Sequence, residues 1–187
     1  MTVRGALVLT LVALIAALSW WLQGRVKTPA GLLGTQGPEQ PDYYMDGYRI
    51  LVTDDQGRPQ YRMHGERMAH LPSDDTGELT APELTLYTPD APPWTVKAAS
   101  GWVSPGAKEV DLRGGVQITR LAQAGQSAIR IDTETLAVRP QERTARTEDP
   151  VVAVAPEGRL TAVGMVADLD ARRIEFLSQA RGEYVAR

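Results

Sequence analysis

The chain contains no cysteine and no asparagine, a single phenylalanine and only two histidines. Without thiols there are no disulfides, thiolate zinc sites, CxxC redox chemistry or cysteine nucleophiles. Without asparagine there are no N-linked glycosylation signals, and turn work falls to Gly, Pro and Asp. Positive charge is also scarce. The net charge is −3, and Arg4, Arg25 and Lys27 are the only charged side chains before residue 28, so the remainder carries −6. That balance excludes a basic surface for nucleic acid. There is no G-x-S-x-G elbow, no P-loop and no Rossmann glycine fingerprint. After residue 43 no convincing amphipathic helix of about ten residues or more is legible, although Glu142 to Glu148 has helical composition.

What is present is alternation. Trp94, Val96, Ala98 and Trp102 share one parity, Pro105-Gly106 reads as a turn, and Val110, Leu112, Gly114, Val116 and Ile118 alternate with Glu109, Asp111, Arg113, Gln117 and Thr119. Period two predicts strands with one apolar and one wet face, the pattern of an antiparallel sheet covering an interior on one side. Looser copies run over Tyr61 to Tyr87, Ile129 to Val154 and Leu160 to Tyr184. The four units recur every thirty residues or so, a repeat signature, and many short strands with regular turns predict a sandwich, barrel or jelly roll. The 187 residues leave room for one such domain and something more, and 43% hydrophobic residues permit a real core.

The something more lies at the N-terminus. Gly5 to Leu22 carries no charge and ends in Trp20 and Trp21. As a helix it would be about 27 Å long, close to a bilayer core, with its indoles at the interface. Residues 1–22 therefore read as a membrane anchor, with a secretory signal cleaved after Ser19 as the rival. We expect the N-terminus in the cytoplasm and the domain outside it. Residues 23–43 hold Gly24, Pro29, Gly31, Gly34, Gly37, Pro38 and Pro41 and read as a flexible linker, leaving 44–187 as the folded domain.

Candidate chemistry is thin. His64, Glu66 and His70 fall on one predicted strand face, but residues six apart on a strand are about 20 Å apart, so a metal site is not expected. Asp54-Asp55 and Asp168/Asp170 lack the remaining ligands of a calcium loop and read as solvated turns. Arg139, Arg143 and Arg146 form the one local basic cluster, interleaved with Glu142 and Glu148, again a solvated turn. The apolar interior, mostly Val, Leu, Ile, Ala and Met, suits either a dry core or a groove for acyl chains.

In order along the chain, Gly57 through Tyr61 and Arg62, Leu79 with Pro82-Glu83-Leu84-Thr85, Pro93 to Ala98, Leu112-Arg113-Gly114-Gly115-Val116, Gly158-Arg159-Leu160 and Tyr184 resemble the LptC family of lipopolysaccharide export proteins. The likeness spans the chain from anchor to C-terminus and rests on order and spacing together. It implies an all-β, twisted open antiparallel β-jelly roll behind a single N-terminal transmembrane helix, held at the inner membrane and projecting into the periplasm. It implies no catalytic activity, no cofactor and no metal. Lipopolysaccharide would come from the permease subunits of an inner-membrane ABC transporter and pass to a soluble LptA-like jelly-roll partner. By motif position the lipid path maps onto Tyr48, Leu79, Ile174 and Tyr184, and the partner edge onto Ile174, Phe176 and Tyr184. Gly57 and Gly158 match family glycines and are more simply turn glycines. Leu79 departs from the family pattern, which has a larger aromatic there. The acidity of the domain fits a ligand gripped by its acyl chains rather than its phosphates. Two other readings remain: a structural assembly subunit with a dry core that binds no lipid, and a secreted jelly-roll sugar binder or hydrolase.

Overall fold

The computed structural model describes residues 40–88, 91–123 and 125–184. The expected anchor and nearly all of the linker lie outside the described residues, among which no helix is long and apolar enough to cross a membrane.

Eight short strands come first: β1 (Tyr43–Asp46), β2 (Arg49–Thr53), β3 (Pro59–His64), β4 (Arg67–Leu71), β5 (Thr76–Thr80), β6 (Glu83–Thr88), β7 (Ala91–Lys97) and β8 (Ser100–Val103). Five long ones follow: β9 (Val110–Arg120), β10 (Ile129–Arg139), β11 (Thr144–Ala155), β12 (Gly158–Asp168) and β13 (Arg173–Tyr184). All pairings are antiparallel, and the long strands are hydrogen-bonded in the order β9-β10-β11-β12-β13. The short strands continue that order twice over, as β1-β4-β5-β8 against the start of β9 and as β2-β3-β6-β7 against its end. Each consecutive short pair is thus one strand broken by a corner, and the whole is a meander folded along a line into two wings. Short turns suffice for such a chain because each strand lies beside its sequence neighbour. The four units legible in the sequence are four successive hairpins of this meander.

The fold line is visible strand by strand. On β9 it falls at Gly114 and Gly115, with φ of +82° and +78°. A Cβ at Gly114 would sit 2.9 Å from the Ala99 Cβ, so this corner needs glycine for both conformation and space. Register slips mark it on the neighbours, between Thr133 and Thr135, between Thr147 and Pro150, and between Thr161 and Val163. Among the short strands, backbone hydrogen bonds carry the ladder round the corner, from Gly47 N–H to Glu66 O at 2.7 Å and from Ala81 N–H to Ala99 O at 2.9 Å.

The corner corrects three local expectations. Gly114, assigned by parity to the apolar face, is exposed. Trp102 is only partly buried while Val103 takes the inner position, because parity slips between β7 and β8. His64 and His70 do not share a strand: they end β3 and sit in β4, on opposite sides of the corner. The segment of helical composition from Glu142 instead turns and enters β11.

Apolar faces of both wings meet in one core that includes Leu84, Leu112, Ile131, Leu136, Val138 and Met165. Edges remain at both ends of the meander. Among the described residues, β13 pairs only with β12, β1 only with β4 and β2 only with β3. Both ends of the meander therefore present unpaired backbone donors and acceptors.

Candidate functional site: an apolar cavity between the wings

Towards their free margins the wings part around a cavity of about 200 Å³. Leu86, Trp94, Val96, Ile118 and Ile131 line it from one wing. Leu136, Ala145, Met165, Ala167 and Ile174 face them from the other, with Leu169 of the β12–β13 turn beside the opening. Most of its walls are hydrocarbon because β9 to β12 turn their apolar faces inward on both sides of the fold line, and β13 does so on one side. A space of this size with mostly apolar walls favours an apolar molecule. What it can do chemically is bind hydrocarbon. No cluster of metal-ligating residues occurs among the described residues.

Polar groups gather where the margins approach. Arg143, in the turn between β10 and β11, bonds Asp170 through Nε at 2.5 Å and donates from Nη2 to the Tyr87 carbonyl at 2.9 Å. One guanidinium thus ties the β12–β13 turn to β6 of the opposite wing. Arg139 is held by Glu109 at 2.8 Å and Arg146 by Glu148 at 2.9 Å, so the three arginines noted in the sequence have separate partners.

The residues assigned by motif position are not all brought together. Ile174 lines the cavity. Leu79, 3% exposed, lies in the packed core of the first wing, its Cδ1 against Gly101. Tyr48 is buried at the corner between β1 and β2, where its hydroxyl has no hydrogen-bond partner and burial pushes the phenol up to about 12. Phe176 packs against the core from β13, and Tyr184, at the end of that strand, is 78% exposed. Gly57 closes a turn in which Asp54 Oδ1 accepts from the Gln56 and Arg58 amides. Gly158 opens β12 at φ +157°, and a Cβ there would collide with the Glu183 carbonyl oxygen. Its lack of a side chain is what lets β13 close in.

At the opposite edge His70 clamps the start of β1. Nδ1 meets Asp42 at 2.7 Å, Nε2 meets Asp75 at 3.0 Å, and Tyr43 stacks on the imidazole at 4.6 Å. Both hydrogen bonds favour the imidazolium, so the His70 pKa is raised above its ordinary 6.5. The same contact holds the Asp42 carboxyl below its ordinary 3.8.

The family model for lipopolysaccharide-assembly, LptC-related proteins matches residues 9–185. The chain belongs to the LptC family. With membership come a role in lipopolysaccharide transport and a place among transport proteins rather than enzymes. The open antiparallel, jelly-roll-like sheet is the fold the likeness to the LptC family implied. Among solved structures, the chain is similar to LptH, described as the LptA homologous periplasmic component of the lipopolysaccharide transport device of Pseudomonas aeruginosa. The two are 9% identical over 80% of this chain and 96% of LptH, with a TM-score of 0.44. No curated protein matches.

Sequence reasoning missed most of the cavity wall. Met165, 1% exposed, falls on the wet face if period two is continued from Leu160 and Ala162. The bulge at Gly164, φ +78°, turns it inward. A glycine inside a strand pattern was the available signal.

Proposed function

We propose that this LptC-family chain is a membrane-anchored periplasmic carrier. It receives lipopolysaccharide from the permease subunits of an inner-membrane ABC transporter and passes it to a soluble LptA-like partner. The observation that carries the reading is the apolar cavity between two wings whose sheet is open at both ends. An acyl chain gains about 25 cal/mol for each Å² of surface it buries, so a tail between the wings is held without any catalytic group. Open edges suit strand addition, in which backbone hydrogen bonds join one sheet to the next. β1 and β2 offer the transporter-facing edge and β13 the partner-facing one. Residues 1–22 anchor the chain, 23–43 give the domain reach and 44–187 carry the lipid. The lipid path runs past Ile174, with Tyr48 and Leu79 supporting the walls and Tyr184 on the exit edge.

Removal of residues 180–187 tests the hand-off. The described part of that segment is exposed throughout and completes only the last rungs of β13 on β12. The truncated chain, reconstituted with transporter and ATP, should still acquire lipopolysaccharide at a photo-reactive residue at Ile174 yet fail to pass it to the partner. Undiminished transfer would remove β13 from the route.

A further inference from the structure

Among the described residues, Arg120, Arg172 and Arg173 line the mouth of the cavity together with Asp168. Asp168 is turned into its own hairpin, where Oδ1 accepts from the Ala171 amide at 2.8 Å. Arg173 is engaged by Glu175 at 3.1 Å. Arg120 is different. Its guanidinium lies 5.1 Å over the Trp94 ring, Nη2 donates to the Ser127 carbonyl at 3.1 Å, and its Nε is buried without a hydrogen-bond partner. Arg139, Arg143, Arg146 and Arg173 each have a carboxylate, whereas Arg120, which is partly buried, makes no ion pair among the described residues.

A guanidinium cannot shed its proton, so a half-buried one lacking a counter-ion and carrying an orphaned N–H is held at a cost. An anion at the mouth removes that cost, and the hydrocarbon below it dictates what else the ligand must contain. We propose that Arg120 receives the phosphate of a phosphorylated amphiphile whose apolar tail occupies the cavity between Ile131, Leu136 and Met165. The proposal rests on the lipid-carrier reading and sharpens it. The ligand enters tail first, with its head held at the margin where β7 and β9 face the β12–β13 turn. It also amends the expectation drawn from net charge. The overall acidity describes the outer surface, whereas Arg120 beside the cavity offers a positive charge that discriminates by head group.

The test uses the full chain in a non-ionic amphipol, titrated calorimetrically with octyl phosphate, with octyl glucoside as a neutral head on the same tail, and with inorganic phosphate alone. The parent should prefer octyl phosphate to octyl glucoside about tenfold, the worth of a charge-assisted hydrogen bond. R120M keeps the stem over Trp94 and should erase that preference while leaving octyl glucoside binding unchanged; R120K should retain part of it. Equal affinity of the parent for both octyl probes, or a preference surviving in R120M, overturns the proposal. So does inorganic phosphate binding as tightly as octyl phosphate, which would make the mouth a free-anion site. Should neither octyl probe bind, the carrier reading falls with it; should octyl glucoside bind without a phosphate preference, only this inference falls.

Discussion

Filling the cavity should make the protein more stable and less able to carry lipid, a combination that separates a binding space from a packed core. Ala145 is the residue to enlarge: it is 8% exposed on β11 and faces the void of about 200 Å³. Ala145→Leu adds three methylene equivalents, worth about 2.4 kcal/mol at about 0.8 kcal/mol each. Fixing the leucine rotamer costs about 0.5–1 kcal/mol, leaving roughly 1.5 kcal/mol of net stabilisation. In a domain of this size that raises the melting temperature by roughly 3–6 °C. Urea denaturation followed by tryptophan emission measures the gain, and lipopolysaccharide crosslinking at Ile174 measures the loss. Destabilisation by more than about 1 kcal/mol would mean the space is not there and the leucine overpacks a filled core. A stabilised variant that still crosslinks as the parent does would mean that the lipid runs elsewhere.

Leu79→Ala should cost about 2–4 kcal/mol in denaturant melts and Leu79→Arg should prevent folding, because Leu79 sits in the packed core and not on the cavity wall. Gly158→Ala should destabilise by more than about 1 kcal/mol and speed amide exchange along β13, because its Cβ meets the Glu183 carbonyl. The His70 clamp makes the first edge sensitive to pH. The raised His70 pKa contributes stability that is full below about 6.5 and is lost as pH rises through the folded value, while the lowered Asp42 pKa contributes stability present above about 3.8 and lost as pH falls through its folded value. Exchange at Tyr43–Asp46, corrected for its intrinsic rate, should therefore quicken as pH rises above about 6.5, and His70→Gln should remove the dependence.

The strands were legible in the sequence wherever apolar residues alternate without interruption, as in Val110 to Leu112 and Val116 to Ile118. The corner was not, because a bulge is one residue out of step and period two carries straight through it. That single slip accounts for Trp102, Gly114 and Met165 alike. The start of β11 was hidden for another reason. Thr144 to Glu148 alternates Arg and Glu around Ala145 and Thr147, inner residues too small or too polar to mark an apolar face. Of the candidate site, Ile174 was reached through the likeness to the LptC family. Arg120 was out of reach, since its meaning depends on its contacts with Trp94 and Ser127 and on its making no ion pair among the described residues, none of which can be read from its neighbours in sequence.

The central claim is that lipid travels between the wings. A photo-reactive residue at Ile174, compared with one at exposed Arg113 on the outside of β9, tests it most directly when each full-length variant is irradiated in membranes with transporter, ATP and lipopolysaccharide. The account predicts a lipid adduct at position 174 and none at position 113. No adduct at either position, in chains shown to be folded and assembled with the transporter, would contradict it and leave the domain a structural subunit with a vacant core.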